Sequence, residues 1–181
     1  TQNNTIVKVI SLNLKGDAKL FVKSENKIQH AELFIVENKT NRNFTFAFNC
    51  CDKELNETFS IDNPVLWNTS NPNLYKFLLT LTTDGGVEKI EGNFGFRELK
   101  SKDGRFYLNG LPFYMRAYIR GATAHDHSNN CHLSEADFYR KNITAAKKFG
   151  FNFIRFHSVV PNETFFNVAD ELGIMVHIEL R

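Results

Sequence analysis

The side chains best suited to chemistry lie at the ends of two short apolar segments in the last third of the chain. Arg155 and His157 occur in FNFIRFH, and Glu179 lies near the end of IMVHIEL. Residues two apart on a strand point to the same side, so Arg155 and His157 share a face. An unpaired cation on a covered face is costly, which predicts a nearby carboxylate or a bound polar ligand. A binding site and a structural ion pair between Arg155 and Glu179 both fit this pattern.

A second polar group precedes these segments. His125, Asp126 and His127 have the side-chain types of metal ligands, but a short loop of this kind is more typical of a solvated turn, and no metal site is predicted. Cys131 and His132 are adjacent, yet no Asn or Asp stands at a fixed distance to complete a cysteine-protease site. We therefore disfavour that hypothesis.

Alternating helices and strands must position these residues. FYMRAYI, FNFIRFH and IMVHIEL are apolar strands, separated by SEADFYRKNITAAKKFG and PNETFFNVADELG, which have helical periodicity. Ser134 is predicted to cap the first helix and Gly150 to stop it, and Gly173 closes the second. The predicted buried side of the first helix contains Phe138, Ile143, Ala146 and Phe149.

Strands covered on both faces and joined by helices form a parallel sheet, so this part resembles the first three strands of a (β/α)8 barrel. Functional side chains of such barrels lie at the carboxyl ends of the strands. This rule selects a set of rim candidates: Arg120, His125, Asp126, His127, Arg155, His157, Ser158, His177 and Glu179. Three strands do not close a barrel, so we expect the native polypeptide to continue beyond Arg181.

The first half of the chain has a different period. Up to about residue 97, six apolar runs alternate with period two, namely IVKVISLNL, KLFVKS, AELFIVEN, NFTFAFNC, ETFSI and LYKFLLTLTT. This pattern predicts an immunoglobulin-like β-sandwich over residues 1–97, followed by the start of a TIM barrel over 98–181. Asp84-Gly85-Gly86 and Asn109-Gly110 are predicted hairpin turns.

Composition excludes several classes of protein. With 42% hydrophobic and 23% charged residues, the chain is neither disordered nor fibrous. A net charge of +2 without a basic stripe gives no basis for a nucleic-acid or membrane partner. The adjacent Cys50 and Cys51 and the distant Cys131 have no metal-ligand spacing, so free thiols are expected.

Four segments together resemble glycoside hydrolase family 2, which includes β-galactosidases, β-glucuronidases and β-mannosidases. They are LWNTSNPNLYKFLLTL, GNFGFRELKSKDGRFYLNGLPFYMRA, FGFNFIRFHSVVP and ADELGIMVHIEL. Their order and spacing match the end of the family's immunoglobulin-like domain and the start of its barrel. The resemblance covers about residues 62–181, whereas residues 1–61 match only in being rich in strands.

The resemblance implies a retaining glycosidase, similar to β-galactosidase, that hydrolyses terminal β-glycosidic bonds without a cofactor. Arg155 and His157 match the family's sugar-contacting Arg and His, Glu179 stands where relatives carry an acidic residue lining the site, and His125 is a further substrate-binding candidate. The two catalytic glutamates are expected on later strands, beyond Arg181, so the chain alone is expected to be inactive.

The sequence also departs from the family pattern. Arg116-Ala117 replaces the family's Arg-Gly, with Arg120-Gly121 four residues on, and RFHSVVP has one extra residue between Arg and Pro. Because of these departures, the sequence does not predict which sugar is bound. The expected partners are a carbohydrate substrate and the rest of the same polypeptide, with an upstream sugar-binding sandwich and a downstream barrel. The oligomeric state is not predicted.

Two alternatives remain open at this point. The strand-rich first half also fits a non-catalytic carbohydrate-binding or adhesin-type module. A complete small enzyme that holds a metal through His125, His127 and Glu179 is the other hypothesis.

Overall fold

The computed structural model of the protein describes residues 4–121 and 132–180 and divides the chain into two compact units. The first unit comprises the residues up to Trp67 together with Asn73–Leu99. The second comprises Asn68–Pro72 together with the residues from Lys100 onward. The described residues form thirteen strands and two helices, so the fold is mostly β-sheet. No helix among them is both long and apolar enough to span a membrane.

Two antiparallel sheets make up the first unit. One contains β1 (Ile6–Ser11), β2 (Asp17–Lys23) and β5 (Glu54–Ser60), in the order β1-β2-β5. The other contains β3 (Ile28–Glu37), β4 (Asn43–Asn49), β6 (Tyr75–Thr83) and β7 (Gly86–Phe94), in the order β4-β3-β6-β7. All six predicted strand segments are confirmed.

The period-two pattern places one side of each strand in a shared core. Leu20 of the first sheet and Leu33 and Leu79 of the second are completely buried in the same hydrophobic cluster. Alternate residues of these strands point away from the core and are more exposed. The sequence thus specifies which face of each sheet packs inward because its period matches the pleat.

Short hairpins span the start of the second unit, because their first strand begins at Leu99, the last residue of the first unit. β8 (Leu99–Lys102), β9 (Arg105–Leu108) and β10 (Leu111–Phe113) pair in the order β10-β9-β8. Asn109 and Gly110 have φ angles of 54° and 79°, as a primed turn requires, which confirms that prediction. Asp103 and Gly104 also have positive φ angles and form a second such turn, which the sequence interpretation missed.

The rest of the second unit alternates strand and helix. Its elements are β11 (Ala117–Arg120), α1 (Glu135–Lys148), β12 (Phe153–Phe156), α2 (Glu163–Leu172) and β13 (Met175–Ile178). The three strands are parallel, in the order β11-β12-β13. The Ser134 side chain accepts a hydrogen bond from the Asp137 amide, and Gly173 ends α2 with a φ of 75°, so both predicted caps are confirmed.

One helix residue is not where the periodicity placed it. Phe149, predicted on the buried side of α1, is 83% exposed, because it is the C-terminal cap and lies past the last turn. Phe151 packs against Tyr118 instead, with ring centroids 5.1 Å apart. Tyr139, which was not predicted to be buried, is 2% exposed.

Candidate functional site

Three polar side chains meet at the carboxyl ends of β12 and β13. Arg155 Nη2 lies 2.9 Å from Glu179 Oε2, and His157 Nδ1 lies 2.7 Å from the same oxygen. The predicted clustering of Arg155, His157 and Glu179 is therefore confirmed. We call these three residues the rim cluster.

The parallel pairing continues past the strand ends and fixes this geometry. The His157 amide donates to the carbonyl of Arg120 at 2.9 Å, and the Glu179 amide donates to the carbonyl of Phe156 at 3.0 Å. The last residue of β11 thus binds the residue that follows β12, and the last residue of β12 binds a residue that follows β13. Because parallel strands end at the same edge, residues 24 positions apart in sequence become neighbours.

The contacts of the rim cluster affect its ionisation. A hydrogen bond from His157, helped by the positive charge of Arg155, holds the pKa of Glu179 below its ordinary value, although partial burial acts in the opposite direction. A carboxylate can only accept, so Nδ1 of His157 carries the hydrogen in this contact. Among residues 4–121 and 132–180, Nε2 of the ring and further guanidinium hydrogens of Arg155 have no hydrogen-bond partner and can donate to a polar ligand.

The rim cluster is more open than the sequence suggested. The side chain of Arg155 is 41% exposed, that of His157 63% and that of Glu179 33%. Within the described residues the face that carries Arg155 and His157 is therefore open, and its burial inside a barrel stays a prediction. The face is open because, among residues 4–121 and 132–180, only the opposite face of this sheet is covered by α1 and α2.

Register shows what lies on the open face. Ile119, Arg155 and His177 stand side by side across the three strands, and Ala117, Phe153 and Met175 form the next row. Ile119 is 63% exposed, and His177 is exposed as well. His177 therefore lies one strand from Arg155, as predicted for a residue of this edge.

Two other described rim candidates, Arg120 and Ser158, do not join the rim cluster. The guanidinium of Arg120 lies 5.7 Å from the ring centroid of Phe138, on the side covered by α1, so Arg120 is not directed to the open face. Ser158 has a φ of 57°, and its side chain makes no hydrogen bond within the described part of the chain. His125, Asp126, His127 and Cys131 lie outside the described residues.

The metal-enzyme hypothesis requires His125, His127 and Glu179 as ligands of one metal ion. Of its three ligands, His125 and His127 lie outside the described residues, and Glu179 accepts from Arg155 and His157. Within residues 4–121 and 132–180, no group of three or more His, Cys, Asp or Glu side chains is placed to hold a metal ion.

Asn152 positions the first two parallel strands, and the sequence interpretation missed it. Its side-chain amide donates to the carbonyl of Tyr114 at 3.0 Å, and its side-chain oxygen accepts from the amide of Arg116 at 2.8 Å. Asn152 is only 9% exposed. An Asn immediately before an apolar strand is the one signal that marked it.

Lys147 was also missed. Its ammonium group donates to the carbonyls of Leu172 and Gly173 at the end of α2 and of Thr69 in the segment Asn68–Pro72. The distances to Thr69 and Gly173 are 2.6 Å and 2.9 Å. Lys147 thus satisfies carbonyls that the end of a helix leaves without partners.

Known proteins of one family are similar to this chain over most of its length. Residues 2–97 match the model of the family Glycosyl hydrolases family 2, and this range includes residues 2–61, which carried no recognisable motif. The β-galactosidase of Kluyveromyces lactis is 32% identical over 150 residues, which are 77% of this chain and 14% of that protein. The β-galactosidase of Staphylococcus xylosus is 32% identical over 122 residues, covering 67% of this chain and 12% of that protein.

Solved structures show the same similarity. The crystal structure of β-glucuronidase from Parabacteroides merdae, with glycerol in its active site, matches with a TM-score of 0.72 and 25% sequence identity, over 95% of this chain and 23% of that one. The chain thus spans under a quarter of each of these three relatives. Because the family model matches more than half of its residues, and relatives above 30% identity share two thirds of its length, the chain belongs to glycosyl hydrolases family 2.

Proposed function

We propose that the chain is part of a retaining, β-galactosidase-like glycosidase that hydrolyses terminal β-glycosidic bonds in oligosaccharides or polysaccharides. The observation that carries this proposal is the rim cluster, in which one carboxylate oxygen orients a guanidinium and an imidazole at the carboxyl ends of parallel strands. Functional groups of barrel enzymes lie at this edge. The relatives named above are β-galactosidases and a β-glucuronidase.

The architecture that we propose has two parts. Residues 1–97 form a domain of immunoglobulin-like type, and residues 98–181 form the first three strands of a (β/α)8 barrel. The open face supports the second part, because parallel sheets are normally covered on both faces. Ile119, Phe153 and Met175 are apolar residues of that face, as expected for side chains that fill layers inside a barrel.

The rim cluster supplies donors for a sugar. Arg155 and His157 would donate charge-assisted or neutral hydrogen bonds to ring hydroxyls, and these bonds would strengthen as the sugar ring flattens toward an oxocarbenium-like transition state. Glu179 holds both donors and is assigned to positioning and to lining the site, not to nucleophilic attack. His125, in the segment after β11, is proposed as a further substrate contact.

Hydrolysis with retention needs two further carboxyl groups. A nucleophile and an acid/base about 5 to 5.5 Å apart form and then hydrolyse a glycosyl-enzyme intermediate. We assign these roles to two glutamates on later strands of the parent barrel. The 181-residue chain alone should therefore bind sugar weakly or not at all and should show no turnover.

The test compares the chain with its full-length parent on aryl β-D-galactoside, β-D-glucuronide and β-D-mannoside. We expect turnover of at least one substrate by the parent and only background hydrolysis by the chain. Activity of the chain that disappears with Glu179→Gln would make Glu179 catalytic and overturn the proposal. A parent that binds these sugars without cleaving any of them would instead indicate a carbohydrate-binding module.

A further inference from the structure

One edge of the first unit differs from the other three. The two sheets end in the strands β1, β5, β4 and β7. Three of these carry charged residues, Lys8 in β1, Glu54 and Glu57 in β5, and Glu88, Lys89 and Glu91 in β7. β4 has the sequence NFTFAFN and carries none. Charged side chains on edge strands oppose pairing with another chain, so β4 is the edge without that protection.

The backbone groups of β4 divide cleanly between its two sides. The Glu37 amide donates to the carbonyl of Arg42, and the Cys50 amide donates to the carbonyl of Gln29, so Arg42 and Cys50 both face β3. Alternation along the strand turns the backbone groups of Phe44, Phe46 and Phe48 toward β3 as well. Those of the four odd-numbered residues, Asn43, Thr45, Ala47 and Asn49, point away from β3.

The outward side of β4 is open along its length. Among the described residues, no strand pairs with it on that side, and Asn43, Thr45, Ala47 and Asn49 are exposed. Phe44, Phe46 and Phe48 pack against the core but stay partly exposed at the edge. A partner strand would form hydrogen bonds with the backbone groups of the four outward residues and would cover the exposed edges of the three aromatic rings.

The residue order of β4 is complementary to itself. In an antiparallel pair centred on Phe46, Asn43 stands opposite Asn49, Phe44 opposite Phe48, and Thr45 opposite Ala47. This register brings every outward backbone group into a hydrogen-bonded pair and leaves the phenylalanines at the close, non-hydrogen-bonded positions. If the pair were centred on Thr45 or on Ala47 instead, residues at one end of β4 would have no residue of the partner strand opposite them. Aromatic pairs at such positions add to the stability of a sheet.

We propose that β4 is a homodimerisation edge, on which the β4 strand of a second copy pairs antiparallel about a two-fold axis at Phe46. Two four-stranded sheets then become one continuous eight-stranded sheet. A two-fold axis requires the same patch on both copies, and the near-palindrome NFTFAFN meets that requirement. The proposal concerns the first unit only and does not depend on the glycosidase assignment.

A proline substitution can block the pairing of β4 between two copies without disturbing the fold of each copy. Thr45→Pro removes an amide that points away from β3, so it leaves the pairing of β4 with β3 intact and blocks the pairing between copies. Thr58→Pro in β5 is the matched control. The Ser24 amide donates to the carbonyl of Lys53 and the Ile61 amide to that of Gly16, so Thr58 is also an outward-facing, exposed threonine, but on an edge with charged residues.

Sedimentation equilibrium of the 181-residue chain over a range of concentrations tests the proposal. We expect the wild type and Thr58→Pro to approach twice the 20.9 kDa of one chain and Thr45→Pro to stay at that mass, with unchanged circular dichroism. Amide exchange of unmodified protein gives a second measurement, since Thr45 and Ala47 should be protected only at high concentration. A monomeric wild type, a dimer that survives Thr45→Pro, or exchange at Thr45 that is independent of concentration would overturn the proposal.

Discussion

Lys147 gives a sharp test of how the second unit is held together. Its ammonium donates to three carbonyls, at the end of α2 and in the segment Asn68–Pro72. Lys147→Met keeps the length of the side chain and removes all three donors. A hydrogen bond to a charged group contributes about 1.5 to 3 kcal/mol, and water will replace part of this at a half-buried site. We therefore expect a loss of about 2 to 4 kcal/mol in the free energy of unfolding.

The assay is thermal unfolding followed by circular dichroism, with the neighbouring residue as control. For a chain of this size, each kcal/mol lowers the melting temperature by about 2 to 4 °C, so Lys147→Met should lower it by about 4 to 16 °C. Lys148→Met makes the same chemical change at an exposed position and should alter the melting temperature by less than about 2 °C. Equal shifts for the two variants would refute the role assigned to Lys147.

Three further predictions concern the second unit. Gly173→Ala should lower the melting temperature, because its φ is 75° and an added Cβ would lie 2.9 Å from the carbonyl oxygen of Thr69. Asn152→Ala should cost about 2 to 4 kcal/mol in unfolding free energy, measured by urea titration, since it removes the buried side chain that joins β11 to β12. Because the folded-state pKa of Glu179 lies below its ordinary value of 4.5, its contribution to stability is present above that pH and is lost as the pH falls through the lowered pKa. Between pH 7 and about 3, the melting temperature should therefore fall less steeply with decreasing pH for Glu179→Gln than for the wild type. Identical slopes for the two proteins would contradict the contact of Glu179 with His157.

Sequence periodicity predicted the elements that depend on local order. The six strand segments, the cap at Ser134 and the left-handed stop at Gly173 follow from patterns within a few residues of each site. The meeting of Arg155 with Glu179 was also predictable, because parallel strands bring their carboxyl ends to the same edge. The exposed position of Phe149 was not, since it depends on where the last helical turn ends.

Contacts between distant segments were beyond local patterns. The acceptors of Lys147 lie 78, 25 and 26 residues away in sequence, and nothing near Lys147 indicates them. Glu37 is completely buried at the end of β3, where its carboxylate accepts from the guanidinium of Arg42 at 3.0 Å. Its sequence neighbourhood is that of an ordinary polar turn. The exposure of Arg155 was missed for a related reason, because it depends on what covers the open face of the parallel sheet.

Kinetics of the full-length parent test most directly whether the rim cluster binds the reacting sugar. His157→Ala should lower kcat by about 100-fold or more with little change in melting temperature, and Arg155→Ala should lower it further. Arg140→Ala is the matched control, since Arg140 is a 43% exposed, ion-paired arginine that contacts Glu171 on the helices, and its removal should leave kcat unchanged. A well-folded His157→Ala or Arg155→Ala enzyme with wild-type kcat would contradict the account and leave these residues a structural role only.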